Sequence, residues 1–485
     1  MDLRQGTARS RRSRTPDDQD IRDHRRRKLD RRRERGGSVT IDEMKRFASR
    51  VVAEARRAGA ETVEVSLLER MEFTVEVRRG SIEKLIESVS NAIDVELSID
   101  KRKAVVSSSD LSSDTLSALV AEGIELARVM DRDEYFGLPE ERELGAAAGD
   151  LAIFDPDSLA VPAERKIALA LELERAALAM DARIIPDGSS FSSRVRTTVF
   201  ANSLGFCDGW RRTSNMLALS CAVEDRPARS ENTGKRQSSW WYSAAVRAAD
   251  LEGAEEIARR AVERTLRKIG ARKPRTCEVP VVFDPFTARD LLESLAEAAS
   301  GGNIYRKSSF LVDRLGERVG SPLVTIVDDG VLPARLGTRP FDAEGVRSRR
   351  TVVFEGGVLG NYLCGTYAAR KIGRATTGSA GGITNFHLAP GRTSPAEIIA
   401  SVDQGLYLTS ISGPGANHMT GDFSQGGQGL WIDKGELSYP VDEFTIASSF
   451  PAMLAGVVMV GNDLDWRDAV ASPTIKIERM TLSGA

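Results

Sequence analysis

The chain has 485 residues, a formal net charge of −2, and 41% apolar and 28% charged residues. That length predicts more than one domain, and the apolar share supplies ample core. The near-neutral balance argues against a dedicated nucleic-acid binder. Four widely spaced cysteines, Cys207, Cys221, Cys277 and Cys364, form no C-x-x-C pair, which excludes zinc ribbons and thioredoxin-like motifs and predicts reduced thiols.

Between Met1 and Gly37, thirteen Arg and one Lys stand against six Asp and one Glu, so the remainder of the chain carries nine net negative charges. This arm has no apolar periodicity and is expected to be a disordered, solvated tail; touching phosphates or acidic surfaces is the alternative. No apolar run approaches bilayer-spanning length, and the Arg-rich start lacks the apolar segment of a secretory signal. The expected location is the cytoplasm, with no membrane partner.

Order begins near Thr40, where Thr40 and Glu43 form a capping-box pattern. Met44, Phe47, Val51, Val52 and Ala55 then make one helical face. Strict alternation follows at Val63, Val65 and Leu67 and again at Phe73, Val75 and Val77, predicting an antiparallel pair, with a turn at Arg79-Gly80. Ile93–Ile99 and Ala104–Ser107 continue the sheet around a turn at Asp100–Lys103. A helix is predicted from Ser113 to Val129, loops from 130 to 160, and a long helix opened by Pro162, with Ile167, Leu171 and Leu178 inward.

Strands are predicted at Val195–Ala201, Phe206–Trp210 and Met216–Val223, with a loop tip at Arg226–Lys235. Trp240, Trp241 and Tyr242 form an aromatic cluster on the next strand, which suits core or interface packing better than ligand stacking. A helix at Glu252–Ile269 ends at Gly270, and residues 271–277 read as a linker. Glu278–Phe283 is an apolar strand. Asp284-Pro285 starts a helix whose buried side is Leu291, Leu292, Leu295 and Ala299. From Thr376 to Val441, glycines recur between short apolar groups, as in strands that turn tightly or approach one another closely around a cleft.

The whole predicts an α+β fold. An N-terminal helix with a small antiparallel sheet occupies 38–110, a mixed middle region 111–275, and a Gly-rich, mostly antiparallel β domain with a few helices 276–485. Of the three histidines, His24 lies in the arm, and His387 and His418 stand 31 residues apart. No helix can therefore carry two zinc-binding imidazoles one turn apart. His387, His418 and Asp422 could converge only through the fold. There is no G-x-S-x-G elbow and no phosphate loop, and Gly426-Gly427-Gln428-Gly429 is too short for a dinucleotide fingerprint.

Several stretches together resemble the PmbA/TldE branch of the TldD/PmbA (modulator of DNA gyrase) family. They are NIYRKSSFL at 303–311, YAARKIGRATTGSAGGITNFHL at 367–388, QGLYLTSISG at 404–413, MTGDFSQGGQGLWIDKGELSYPVDEFTIA at 419–447, GNDLDW from 461, and SPTIKIERMTLSG ending at 484. The resemblance implies a cytoplasmic α+β protein that pairs around an enclosed cavity. It also implies a TldD-type partner that carries an H-E-x-x-x-H helix and acts as a zinc metalloprotease on flexible or unfolded peptides. In this chain the corresponding helix reads LLESLAEA. Glu293, Ser294 and Ala298 stand where that motif places histidine, glutamate and histidine, and no cysteine follows Cys364.

The resemblance therefore implies a non-catalytic partner subunit with no cofactor of its own, zinc residing in the other subunit. Thr420, Gly421 and Asp422 are candidate peptide contacts, by strand addition beside the Gly-rich strands; Arg370 and Lys371 are candidate contacts for acidic substrates, with surface or fold-stabilising ion pairs as the alternative reading. A homodimer is a further expectation. The alternatives are a self-sufficient peptidase with an unrecognised site, and a regulatory binding protein acting as its own dimer.

Overall fold

The computed structural model describes residues 40–225, 235–413 and 416–484. The basic arm and most of the Arg226–Lys235 tip lie outside them. The first helix, α1 (Ile41–Arg57), starts on the expected capping box, with the Thr40 side chain accepting from the Glu43 amide and Glu43 answering the Thr40 amide. Its buried face is Met44, Ala48, Val51 and Ala55.

A six-stranded antiparallel sheet follows, in the order β3-β2-β1-β4-β5-β6. Its strands are β1 (Thr62–Arg78), β2 (Ser81–Ile99), β3 (Arg102–Ser108), β4 (Ile185–Asn202), β5 (Cys207–Asp225) and β6 (Lys235–Ala245). One sheet thus draws strands from both 38–110 and 111–275. Two expectations need correction. Val63–Leu67 and Phe73–Val77 do not pair with each other; they are halves of β1, which pairs along its length with β2 around the Arg79-Gly80 turn. Phe206–Trp210 and Met216–Val223 are likewise one strand, β5. In both cases a polar run read as a turn is a strand with partners on both sides. Glu69 is buried within β1, and Arg212 of β5 donates to Leu336 O and Thr338 O of the C-terminal region.

The apolar side of β1 is buried at Val63, Val65 and Leu67 and again at Phe73, Val75 and Val77, with the buried Glu69 and the partly exposed Met71 between the two halves. Helices α1 and α2 (Ser113–Val129) cover the Val63–Leu67 half, and α3 (Ala163–Met180) and α4 (Ala254–Leu266) cover the Phe73–Val77 half. The inward stripe of α3 is Ala170, Leu173 and Ala177, one position off the expected one, and Leu178 is exposed. With half the face of α3 small or aliphatic, apolar periodicity alone does not choose between neighbouring stripes.

The C-terminal region has two sheets. One runs β14-β13-β12-β7-β17-β15, and an additional β14–β17 pairing closes five of its strands into a barrel. These are β7 (Cys277–Phe283), β12 (Gln404–Ser412), β13 (Asp422–Asp433), β14 (Glu436–Ser449), β15 (Val457–Val460) and β17 (Ile475–Ser483). Only the β7–β12 pair is parallel, which suits a mostly antiparallel α+β fold. The second, five-stranded sheet is built of β8 (Ile326–Asp329), β9 (Arg350–Glu355), β10 (Val358–Leu359), β11 (Phe386–Leu388) and β16 (Val470–Ala471), in the order β10-β9-β8-β11-β16. Two glycines show why β13 needs them. A Cβ at Gly427 would stand 2.5 Å from the Phe444 ring, and one at Gly429 would stand 2.3 Å from Tyr407 O. Both sit at register shifts, where the strand bends to close the barrel.

Helix α5 (Pro285–Ala298) packs Ala288, Leu291, Leu292 and Leu295 into the main core. Trp240, Trp241 and Tyr242 also pack rather than stand free. Trp240 stacks on Tyr242 with ring centroids 5.0 Å apart, and all three rings meet Phe286 of α5.

Gly427→Ala is expected to destabilise the chain by about 1–3 kcal/mol, because Phe444 must leave its rotamer to admit the methyl group. Urea denaturation with unchanged slope and a lower midpoint is the expected result; an unchanged midpoint would refute this account of the glycine.

Candidate functional site

A cleft of about 690 Å³ lies against α5. One wall is the last turns of α5, presenting Glu293, Ser294 and Glu297. Gly365 and Ala368, the loop Ser379–Ile383, and Ala416 with His418 from the β12–β13 connection form the rest.

The position of α5 is fixed at its start. Asp284, 1% exposed, accepts from the Thr287 amide at 2.9 Å, satisfying an orphan donor of the first turn. Its other oxygen takes Arg264 of α4 at 2.9 Å. The far end is held by Ala298, fully buried, whose carbonyl accepts from Ser309 Oγ at 2.6 Å. Residues Glu293 and Glu297 lie one turn apart and so share the exposed face.

The side chains on that wall are engaged locally. Arg289 Nε lies 3.6 Å from Glu293, and Ser294 Oγ donates to Asp290 O at 3.2 Å. His418 lines the cleft; its backbone carbonyl accepts from the Phe310 amide at 2.9 Å, and its buried Nδ1 has no hydrogen-bond partner.

The other singled-out residues are placed elsewhere. His387 lies on β11 (Phe386–Leu388), its Nδ1–H donating to Asn385 O at 3.0 Å and its ring 4.9 Å from Trp466. Burial pushes its pKa down, which keeps the ring neutral. Asp422 is exposed and accepts from Thr420 Oγ1 at 2.7 Å. His387, His418 and Asp422 therefore do not converge. Thr420 and Asp422 stand where the connection re-enters β13, beyond the two lining residues Ala416 and His418. Gly421 has φ +80, and a Cβ there would stand 3.2 Å from the Phe310 and Pro451 side chains, so its place is structural.

Arg370 and Lys371 tie the C-terminal region to the loop at 133–138. Arg370 donates to Gly137 O at 2.7 Å and Leu138 O at 2.5 Å. The Lys371 ammonium lies 3.3 Å from Asp133 and 4.2 Å from the Tyr135 ring centroid. These contacts occupy both cations, so neither reaches the cleft. Sequence reasoning pointed to α5 and to the glycines of TTGSAGGI, but not to Glu297 or His418 as wall residues. No local pattern marks a glutamate as facing a cleft rather than solvent.

A model of the PmbA/TldA metallopeptidase C-terminal domain matches residues 276–484, and one of the central domain matches 156–269. A protein named metalloprotease PmbA from Escherichia coli O157:H7 is 33% identical over 434 residues, covering 89% of this chain and 94% of that protein. The chain belongs to the TldD/PmbA family, on its PmbA/TldE branch. A metalloprotease PmbA homolog from Haemophilus influenzae is 31% identical over 448 residues, covering 91% of this chain and 96% of that protein. The crystal structure of a candidate modulator of DNA gyrase from Bacteroides thetaiotaomicron superposes with a TM-score of 0.86 at 28% identity, covering 92% of this chain and all of that one.

The helix at the cleft wall does not offer a zinc site. Ala298 offers no donor, Ser294 donates to its own helix, and Glu293 faces Arg289. Among the described residues no group of three or more His, Cys, Asp or Glu is placed to hold a metal ion. These donors do not fit a hydrolytic zinc site, which takes three protein ligands and a water, and no chemical step is derived through one. No helix among the described residues is long and apolar enough to cross a membrane.

Arg370→Ala should cost about 2–3 kcal/mol, since it strips charged donors from partly buried carbonyls. A lower melting temperature with unchanged affinity for peptides is expected. A large loss of peptide affinity at unchanged stability would instead return Arg370 to the binding surface.

Proposed function

We propose that this chain is the non-catalytic member of a two-subunit peptidase of the TldD/PmbA family, partnered by a TldD-type zinc metalloprotease and helping to admit flexible peptides. The observation that carries this is the cleft wall itself. Glu293, Ser294 and Ala298 occupy the helix that in the protease branch would present the metal ligands, yet the helix still borders the cleft of about 690 Å³. The names of the relatives, metalloprotease PmbA and its homologs, favour a place in proteolysis. The cleft floor is built of small residues, Gly365, Ala368, Ala380 and Gly381. Small side chains allow an extended peptide's backbone to come close, so that main-chain hydrogen bonds carry affinity without strict sequence demands. In this role the chain holds and orients the peptide, and the partner's metal supplies the hydrolytic chemistry.

The test is reconstitution. The purified chain, given zinc and then desalted, is expected to retain no stoichiometric metal and to cleave no unstructured peptide alone. Mixing with a TldD-type protein should yield cleavage, and Ala368→Trp in this chain should slow it at least about tenfold, by filling the floor, with pairing intact by size-exclusion chromatography. Stoichiometric zinc with turnover in the isolated chain would overturn the proposal in favour of a self-sufficient peptidase. Cleavage by the mixture that is indifferent to Ala368→Trp would remove the peptide-admitting role.

A further inference from the structure

Beside the cleft lies a second cavity of about 270 Å³, and Ala380 and Gly381 border both. It sits between the outer face of the N-terminal sheet and the C-terminal region. Four carboxyl groups line it, from Glu64, Asp94, Glu96 and Glu344, against one ammonium, Lys103.

Their partners can be followed one by one. Glu64 of β1 and Glu96 of β2 are directly opposite in the sheet register. Like charges in that relation are destabilising. Lys103 reaches Glu96 at 2.6 Å and rests over the Phe136 ring at 5.0 Å. Asp94 accepts from Ser107 Oγ at 2.5 Å. Glu344 accepts from the Thr366 amide at 2.8 Å through one oxygen. Its other oxygen would stand 3.1 Å from a Cβ at Gly365, a cleft residue. Glu64 Oε1 is buried and has no hydrogen-bond partner.

The cations behind Gly137 do not correct the imbalance. Lys101 donates to Phe136 O at 2.9 Å, and Arg370 is committed to backbone carbonyls. The Tyr367 hydroxyl is committed to Asp133 at 2.6 Å. In the cleft, Glu293 and Glu297 face the space, and no Lys or Arg is among the lining residues. The two adjoining spaces share a border and an excess of acidic groups, and one buried oxygen of Glu64 has no hydrogen-bond partner. A basic side chain would supply both the donor and the charge, and the Phe136, Phe200 and Tyr367 rings would flank its alkyl stem.

We propose that the cleft takes peptides carrying a basic side chain, whose cationic end enters the cavity lined by Glu64, Glu96 and Glu344. The proposal rests on the peptide-admitting role above and names its substrate class. Its energetic sense agrees with the state of Glu64. Burial, and then the nearby Glu96 and Glu344 carboxylates, push that carboxyl up to about 9, so it keeps its proton at neutral pH. An arriving cation favours the ionised form. Binding then releases a proton and tightens as pH rises toward that value.

The test uses fluorescence anisotropy on the isolated full-length chain, with otherwise identical unstructured peptides bearing Lys, Arg, norleucine or Glu at one central position. The Lys or Arg peptide should bind about tenfold tighter than the norleucine peptide, and the Glu peptide weakest. The Lys and Arg arms show which head group the cavity prefers. The doubly substituted Glu64→Gln, Glu344→Gln chain should bring the Lys-to-norleucine ratio near one, with norleucine binding and melting temperature kept. The ratio in the native chain should rise from about pH 6 to about pH 8.

Equal binding of Lys and norleucine peptides, a preference untouched by the double substitution, or no binding of any peptide would each overturn the proposal. Cleavage separates its fate from that of the partner role. A reconstituted pair that cuts all the peptides at equal rates leaves the role standing and removes the charge preference, whereas a pair that cuts none removes the role.

Discussion

The contact between Asp284 and Arg264 is the constraint on which the arrangement depends. Asp284 ends β7 and caps α5; Arg264 projects from α4, on the other side of the junction between the middle and C-terminal regions. The guanidinium also donates to Thr409 O at 2.8 Å and lies over the Trp241 and Phe286 rings. One almost fully buried carboxylate thus satisfies a helix terminus and anchors a neighbouring helix. A buried charge of this kind is tolerable only when every partner is in place. The direction in which α5 leaves the barrel, and so which of its faces becomes cleft wall, follows from that junction.

With α5 held this way, its two sides have separate duties. The buried side is aliphatic and is indifferent to what stands on the other. The cleft side carries Glu293, Ser294 and Glu297, whereas Ala298 at the end of the helix belongs to the core. The residues that face the cleft and those that hold the core are thus largely separate along one helix. The acidic character of the wall and of the adjoining cavity belongs to this exposed layer too.

Much of this was legible in the sequence wherever a local rule governs. The Thr40–Glu43 capping box, the Asp284-Pro285 start, the Arg79-Gly80 turn and the stripe of α5 are decisions made within a few residues. Reading failed where a tertiary surface overruled the local pattern. The polar runs inside β1 and β5 look like turns only if strands are assumed to have one wet face, whereas the sheet's outer face meets the C-terminal region. That Arg370 and Lys371 could serve as fold-stabilising cations was legible, but not with whom, because Gly137, Leu138 and Asp133 lie more than two hundred positions earlier. The opposition of Glu64 and Glu96 is invisible until register is known, and Glu344 joins them only through the packing of two regions.

The closure of the barrel by β17 has a consequence for how the chain is made. That strand pairs with β7, β14 and β15 at once, and β7 precedes it by most of the C-terminal region. A contact spanning so much sequence forms late, because loop entropy must be lost before the pairing rewards it. During synthesis β7 and β14 therefore present open backbone edges until β17 has left the ribosome. That interval is when this protein has most need of a holding chaperone, and slow translation of the stretch between β14 and β17 would lengthen it.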